Sequence, residues 1–131
     1  MDNLKTAVEL RGITKTFGSV TANKDVNLTI RRGEILALLG ENGSGKTTLM
    51  NMLSGIYYPD EGQIFIDGKE VSIGSPREAF DYGIGMIHQH YRLVDVMTAT
   101  ENIILGLKEP GRLNLNAAAE KIRTICKTYG F

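Results

Sequence analysis

The sequence predicts an α/β fold, with a parallel sheet in a phosphate-binding core and a small antiparallel sheet beside it. An unbroken apolar run, 35–39, is typical of a strand that is buried on both faces. The next residues, 40–47, spell G-E-N-G-S-G-K-T, and apolar residues at helical spacing follow them directly. Alternating segments on either side have no helical crossover between them, so we expect them to pair antiparallel.

Six segments have the pattern of strands. The first should turn Val8, Leu10 and Ile13 inward. The third and the sixth are expected to be buried and parallel, and the others should form the antiparallel sheet. In chain order they are 6–17, 25–31, 34–40, 63–67, a short segment near 70–73, and 84–88.

Helix starts are marked by side-chain chemistry. Residues 75–78, Ser-Pro-Arg-Glu, form a predicted capping box with Pro at the first helical position. Residues 98–101, Thr-Ala-Thr-Glu, form a second box. A further helix should begin near Asn116 and end at Gly130, where a left-handed cap belongs. Its apolar face would hold Ala118, Ile122, Ile125 and Tyr129.

The motif at 40–47 is a complete G-x-x-x-x-G-K-[ST] phosphate-binding loop between a predicted strand and a predicted helix. Gly43 and Gly45 lack Cβ atoms, so their backbone can approach a phosphate closely. Successive amides and the helix N-terminus would then face an anion. In this motif Lys46 would reach the β- and γ-phosphates, and the Thr47 hydroxyl would be a ligand of Mg²⁺. The motif therefore predicts binding of a nucleoside triphosphate with Mg²⁺.

The sequence around this loop resembles an ATP-binding cassette (ABC) transporter ATPase over nearly all 131 residues. Three markers carry the resemblance: Phe17 about two dozen residues before the loop, the loop itself, and Gln89 after an apolar segment. Further similar segments are 8–17, 26–34, 53–56, 59–62, 63–68 and 84–89.

The resemblance implies a P-loop NTPase fold of the ABC type. A nucleotide-binding core with its antiparallel part would cover 1–90, and 91–131 would start a helical subdomain. Phe17 would stack on adenine, and Ala22 would lie under the ribose and base. Lys46 and Gln89 would be catalytic, while Thr47 and Gln89 would meet Mg²⁺. The implied nucleotide contacts are Phe17, Ala22, Asn42, Gly43, Ser44, Gly45, Lys46, Thr47 and Thr48.

Two motifs that the resemblance places downstream do not occur in this sequence: the L-S-G-G-Q-type signature and a strand that ends in Asp-Glu. Residues 53–55, Leu-Ser-Gly, begin like the signature, but Ile-Tyr follows them. Asp67 ends an apolar strand, but Gly68 follows, which indicates a turn. We therefore expect the N-terminal part of a cassette, truncated before both motifs, that binds ATP and hydrolyses little of it alone.

Composition limits the partners. The chain has 15 basic and 15 acidic residues, so no net positive field favours nucleic acid. A single cysteine, Cys126, cannot form an internal disulfide and suits a reducing compartment. The apolar run 35–39 is far shorter than the ~20 residues that cross a bilayer. Any membrane role would come through a partner.

The expected function is that of an ATP-binding subunit at the cytoplasmic face of the membrane. Residues 88–103 resemble the segment found in bacterial importers of nucleosides and simple sugars, where it meets a transmembrane permease. Tyr91, Leu93 and Met97 would then be permease contacts, unless these side chains merely pack two subdomains together. A second cassette, in the same chain or a homodimer, would complete the intact protein, while this piece is expected to be a soluble monomer.

Two other functions compete with this one. The first is an ABC-type ATPase without a permease, serving DNA repair or translation. The second is a P-loop kinase, which would transfer phosphate to a small acceptor. The antiparallel strands before the loop and the aromatic marker Phe17 count against the kinase.

Overall fold

The computed structural model of the protein describes residues 5–88, 93–105 and 114–131. The chain divides into two compact units, Met1–Ile87 and His88–Phe131. Within the described residues, the first unit holds one β-sheet and two helices, and the second holds two further helices.

The sheet of the first unit is antiparallel throughout, as predicted, with strand order β2-β1-β3-β4. The second strand begins five residues earlier than the predicted start at 25, because Val20, Thr21 and Asn23 pair with the end of the first strand. The strands are β1 (Thr6–Phe17), β2 (Val20–Arg31), β3 (Glu61–Ile66) and β4 (Lys69–Val71).

An irregularity in β1 explains how Leu10 and Ile13 both point inward although they are three residues apart. The pairing register with β2 shifts between these two residues, and Gly12 between them has φ of 62°. An extra residue at such a bulge reverses the alternation of side chains. Leu10 and Ile13 are both buried, and Val8 packs against them, which confirms the predicted inward face.

Four helices lie in the described residues, and none of them is long and apolar enough to cross a bilayer. The predicted box at Thr98 is complete, with reciprocal bonds between Thr98 and Glu101. Ser75 accepts from the Glu78 amide as expected, but the Glu78 carboxylate accepts from the amide of Gly74 instead of Ser75. The helices are α1 (Lys46–Leu53), α2 (Pro76–Asp81), α3 (Ala99–Ile104) and α4 (Leu115–Tyr129).

In the described part of the second unit, α3 packs against α4. The side chain of Asn114 caps α4 by accepting from the amides of Asn116 and Ala117. Gly130 ends it in the left-handed conformation at φ 80°, as the sequence predicts. Only Ala118 of the predicted apolar face is buried among the described residues of α4.

The core of the first unit lies between the sheet and α1 and α2. Apolar side chains from β1 and β3 meet one face of α1, so the helix after the phosphate-binding loop rests on the antiparallel sheet. The buried residues of this cluster are Leu10, Ile13, Leu49, Met52, Leu53, Ile64, Ile73 and Ala79.

The predicted strands 34–40 and 84–88 differ in the structure, since neither has the hydrogen-bonding pattern of a strand. Ile35 is 99% exposed and Leu39 is 89% exposed, so the apolar run is not buried. A strand buried on both faces needs neighbouring strands and cover on each side. The described strands all belong to the antiparallel sheet, so none is available to pair with these two segments.

Candidate nucleotide-binding site

The phosphate-binding loop leads directly into α1. Gly43 and Gly45 have φ of 82° and 83°, a left-handed conformation that glycine adopts without strain. The first helical hydrogen bond runs from the amide of Leu49 to the carbonyl of Gly45, at 2.9 Å. The three preceding amides therefore have no acceptor within the helix, and they face the loop at the positive end of the helix dipole.

Lys46 is folded back over this loop. Its Nζ donates to the carbonyl oxygens of Gly40 and Glu41, both at 2.7 Å, and to Oγ of Ser44 at 3.1 Å. The ammonium group thus lies within the curve of the loop, beside the free amides of α1. Together they form a cationic cradle for an anion such as phosphate.

The loop packs closely on β2. A Cβ atom at Gly45 would overlap the carbonyl oxygen of Ala22, so only glycine fits there. The buried Asn23 donates its side-chain amide to the carbonyl of Gly45 at 3.3 Å. The structure therefore places Ala22, a predicted site residue, directly beside the phosphate-binding loop.

Phe17 lies at the end of β1, opposite Val20, where the β1–β2 hairpin turns. Its side chain is 42% exposed, so part of the ring is open to a ligand. The ring of Tyr57 contacts it edge to face, with centroids 5.1 Å apart and planes at 69°. Nζ of Lys15 lies over the Phe17 ring, 5.5 Å from its centroid.

The carboxylate of Asp60 bonds the two residues that precede Phe17. Asp60 accepts from Nζ of Lys15 at 2.6 Å and from the amide of Thr16 at 2.7 Å. These bonds hold the pKa of Asp60 below its usual value, the Lys15 bond being the largest cause and the Thr16 amide the next. Asp60 therefore stays ionised and ties the segment before β3 to the end of β1.

The other predicted site residues divide into two groups. Asn42, Ser44 and Thr47 are exposed on the loop and the first turn of α1, and Thr48 is half-buried. Gln89 lies outside the described residues, as does Tyr91. The structure thus brings together the loop and Ala22, with Phe17 on the adjoining hairpin.

The described residues offer few side-chain ligands to a metal ion. They contain no group of three or more His, Cys, Asp and Glu side chains that could hold an ion. Thr47 offers one hydroxyl oxygen next to Lys46. Mg²⁺ takes oxygen ligands, keeps several waters and shares phosphate oxygens with its ligand, so this sparse set fits it.

Two segments that resemble missing motifs have structural roles. Ser54 caps the C-terminus of α1 and is buried, and a Cβ atom at Gly55 would overlap the carbonyl of Ser75. Asp67 and Gly68, with φ of 51° and 77°, form the turn between β3 and β4, as the sequence indicates.

Sequence reasoning missed Asn23, Tyr57 and Asp60. Asn23 could have been noticed as a polar residue at an inward position of an alternating segment. Tyr57 and Asp60 carry no comparable signal, because their contacts join residues 40 or more positions apart in sequence.

The chain matches the ABC transporter family over residues 23–131. It is 50% identical over 126 residues to the guanosine import ATP-binding protein NupO of Bacillus subtilis, covering 94% of this chain and 24% of that protein. It is 52% identical over 99 residues to the ribose import ATP-binding protein RbsA of Caldanaerobacter subterraneus, covering 76% and 20%. The chain thus spans about a quarter of the length of these curated relatives.

Solved structures agree with the sequence match. The dimeric structure of a bacterial ABC transporter cassette aligns with a TM-score of 0.75 at 30% identity, over 92% of this chain and 56% of that one. A nucleotide-free ATP-binding cassette from an ABC transporter aligns with a TM-score of 0.72 at 32% identity, over 88% and 46%. The predicted α/β fold of the ABC type is confirmed, and the chain belongs to the ABC transporter family.

Proposed function

We propose that this chain binds Mg·ATP in an ABC transporter ATPase. The triphosphate lies against the loop from Asn42 to Thr48, with Lys46 at the β- and γ-phosphates. Phe17 stacks on the adenine ring, and Ala22 leaves room for the ribose. The Thr47 hydroxyl is the ligand for Mg²⁺, and Gln89 joins it during turnover.

The position of Lys46 is the observation that carries this proposal. Its ammonium group bonds the carbonyls of Gly40 and Glu41, and the two left-handed glycines and the three free amides of α1 belong to the same loop and helix start. This combination favours an anion with several oxygens, because each donor can address a different one. Phe17 lies on the strand pair that packs against the same loop, which suits a ligand with both phosphates and a base.

We propose further that ATP turnover in the whole protein powers import of a nucleoside or simple sugar. Relatives at 48–52% identity are named as guanosine, nucleoside, glucose and ribose import ATP-binding proteins. Such an ATPase works at the cytoplasmic face of a membrane with a transmembrane permease. A second cassette pairs with this one, as in the dimeric cassette to which the chain is similar. Membership in the ABC transporter family removes the kinase alternative.

The permease contact is assigned to the segment before α3. Leu93 is 67% exposed and Val96 is 94% exposed, so apolar side chains are presented outward. The side chain of Asn102 fixes this segment. It accepts from the amide of Val94 and donates to the carbonyls of Val94 and Met97. A rigid loop with exposed apolar residues suits protein docking. We also propose that residues 91–131 form the start of a helical subdomain and that residues 1–90 form the nucleotide-binding core.

Titration of the chain with a fluorescent ATP analogue tests the first proposal. Lys46→Ala should remove most of the affinity, because it deletes a charge-assisted contact worth about 1.5–3 kcal/mol. Phe17→Ala should cost less, since only stacking is lost. Lys69→Ala removes an exposed lysine on β4 and serves as the matched control. Unchanged affinity in the Lys46 variant would refute the site.

Uptake of labelled guanosine, ribose and galactose tests the importer. The full reading frame that contains this chain is deleted and then restored with wild type or with Leu93→Asp and Met97→Asp. We expect uptake of one of the three to be lost on deletion, and the two variants to spare ATP binding while they reduce uptake. Unaltered uptake of all three, with altered DNA repair or translation, would favour an ATPase without a permease.

A further inference from the structure

The end of β1 is fastened to the segment that follows α1. Asp60 makes three bonds there: its amide donates to the carbonyl of Thr14 at 2.8 Å, and its carboxylate accepts from Thr16 and Lys15. The Lys15 side chain is only 14% exposed, so this ion pair lies partly out of solvent. The strand end that carries Phe17 is therefore held through the backbone of Thr14 and Thr16 and through the side chain of Lys15.

The ring of Phe17 is held by a second contact from the same segment. Tyr57 meets it edge to face at a centroid distance of 5.1 Å, a favoured geometry for aromatic pairs. The amide of Tyr57 in turn donates to the carbonyl of Asn51 in the last turn of α1, at 3.3 Å. Because α1 begins at Lys46, a chain of direct contacts joins the phosphate-binding loop to the exposed aromatic ring.

We propose that Tyr57 and Asp60 are positioning residues that hold Phe17 as a platform for the base, at a set distance from the phosphate-binding loop. The inference rests on the proposed binding of ATP and extends it to two residues that need not contact the ligand. Tyr57 restricts the ring, and Asp60 restricts the backbone beneath it. A platform held in advance loses less conformational entropy on binding than a mobile aromatic side chain.

The positioning role predicts which part of the ligand loses affinity in the variants. Loss of Tyr57 or Asp60 should reduce what the base contributes to binding affinity. The contribution of the phosphates should stay the same, because the substitutions do not alter Lys46 or the amides of α1. A base stack is worth about 1–3 kcal/mol, or roughly 5- to 150-fold in affinity. Partial loss of its orientation should therefore reduce ATP affinity by about three- to tenfold.

The experiment compares ATP with inorganic tripolyphosphate on the 131-residue chain by isothermal titration. The test variants are Asp60→Ala and Tyr57→Leu, each also combined with Phe17→Ala. Tyr57→Phe keeps the aromatic ring, so this variant should bind ATP with the affinity of the wild type. Glu9→Ala breaks a different ion pair on β1, with Arg11, and serves as the control for general effects on the strand. Thermal melting verifies folding, and Lys15→Met replaces Asp60→Ala if that variant does not fold.

We expect the test variants to lose ATP affinity, to keep tripolyphosphate affinity, and to have no further effect in the Phe17→Ala background. Equal loss for both ligands, or a full additional loss in that background, would overturn the positioning role while ATP binding stands. Absence of ATP binding by wild type would instead refute the proposed function itself. The two failures are therefore distinguishable.

Discussion

The side-chain amide of Asn23 on β2 donates to the carbonyl oxygen of Gly45, the residue that immediately precedes α1. The same carbonyl accepts the first helical bond from Leu49, so one peptide group joins the antiparallel sheet to the helix. The other polar side-chain atom of Asn23, Oδ1, is buried and has no hydrogen-bond partner among the described residues. The position of the phosphate-binding loop thus depends on a strand that contributes no residue to the loop motif.

Gly45→Ala should destabilise the chain more than Gly43→Ala. Both glycines have nearly the same left-handed φ, so both variants bear the strain of a non-glycine residue there, about 1–3 kcal/mol. Only at Gly45 would the new methyl group also overlap the backbone of β2, while Gly43 has open space around it. Thermal unfolding of the two variants measures the difference, and equal melting temperatures would contradict the close packing of loop on strand.

Asn23→Asp should lower the free energy of unfolding by more than about 1–3 kcal/mol, because it buries a carboxylate against the Gly45 carbonyl and removes the donor. Asn23→Leu has a similar branched shape and relieves the unpaired Oδ1, so it should change stability by less than about 1.5 kcal/mol. Urea denaturation of both variants tests this pair. A larger loss for Leu than for Asp would show that the amide bond, not the burial of charge, governs this position.

The ionised state of Asp60 should make stability depend on pH in acid. Because bonds from Lys15 and Thr16 lower the folded-state pKa of Asp60, its contribution is present above the usual aspartate pKa and is lost as pH falls through the lowered value. Lys15→Met should raise the pKa of Asp60 toward its usual value and remove part of that dependence. Carboxyl-carbon NMR titration measures the pKa directly. An unaltered pKa in the Lys15 variant would mean that the ion pair does not form in solution.

The 131-residue chain should bind ATP and release phosphate only slowly at saturating Mg·ATP. Lys46 and the loop position the phosphates, but hydrolysis also needs a group that orients the attacking water. The Asp-Glu strand and the signature segment of the family do not occur in these residues. A phosphate-release assay measures this rate, and the Lys46→Ala variant gives the background. Steady turnover that Lys46→Ala abolishes would mean that one of the carboxylates in this chain serves as the catalytic group.

The sequence alone identified the phosphate-binding loop, the antiparallel strands, and the helix caps at Ser75, Thr98 and Gly130. These features depend on local chemistry: glycine at left-handed positions, side-chain oxygens at helix starts, and alternation along a strand. Each can be recognised from a few neighbouring residues, so no tertiary information is needed.

Tertiary structure decided which residues surround the loop and which apolar segments are covered. The contacts of Asn23 with Gly45, Asp60 with Lys15, and Tyr57 with Phe17 join residues 22 to 45 positions apart, and no local pattern records such pairs. The run 35–39 has the composition of a buried strand, yet it is exposed because burial requires neighbours that a strand cannot supply for itself. Local sequence sets what a segment can form, and the partners available to it in space determine what it does form.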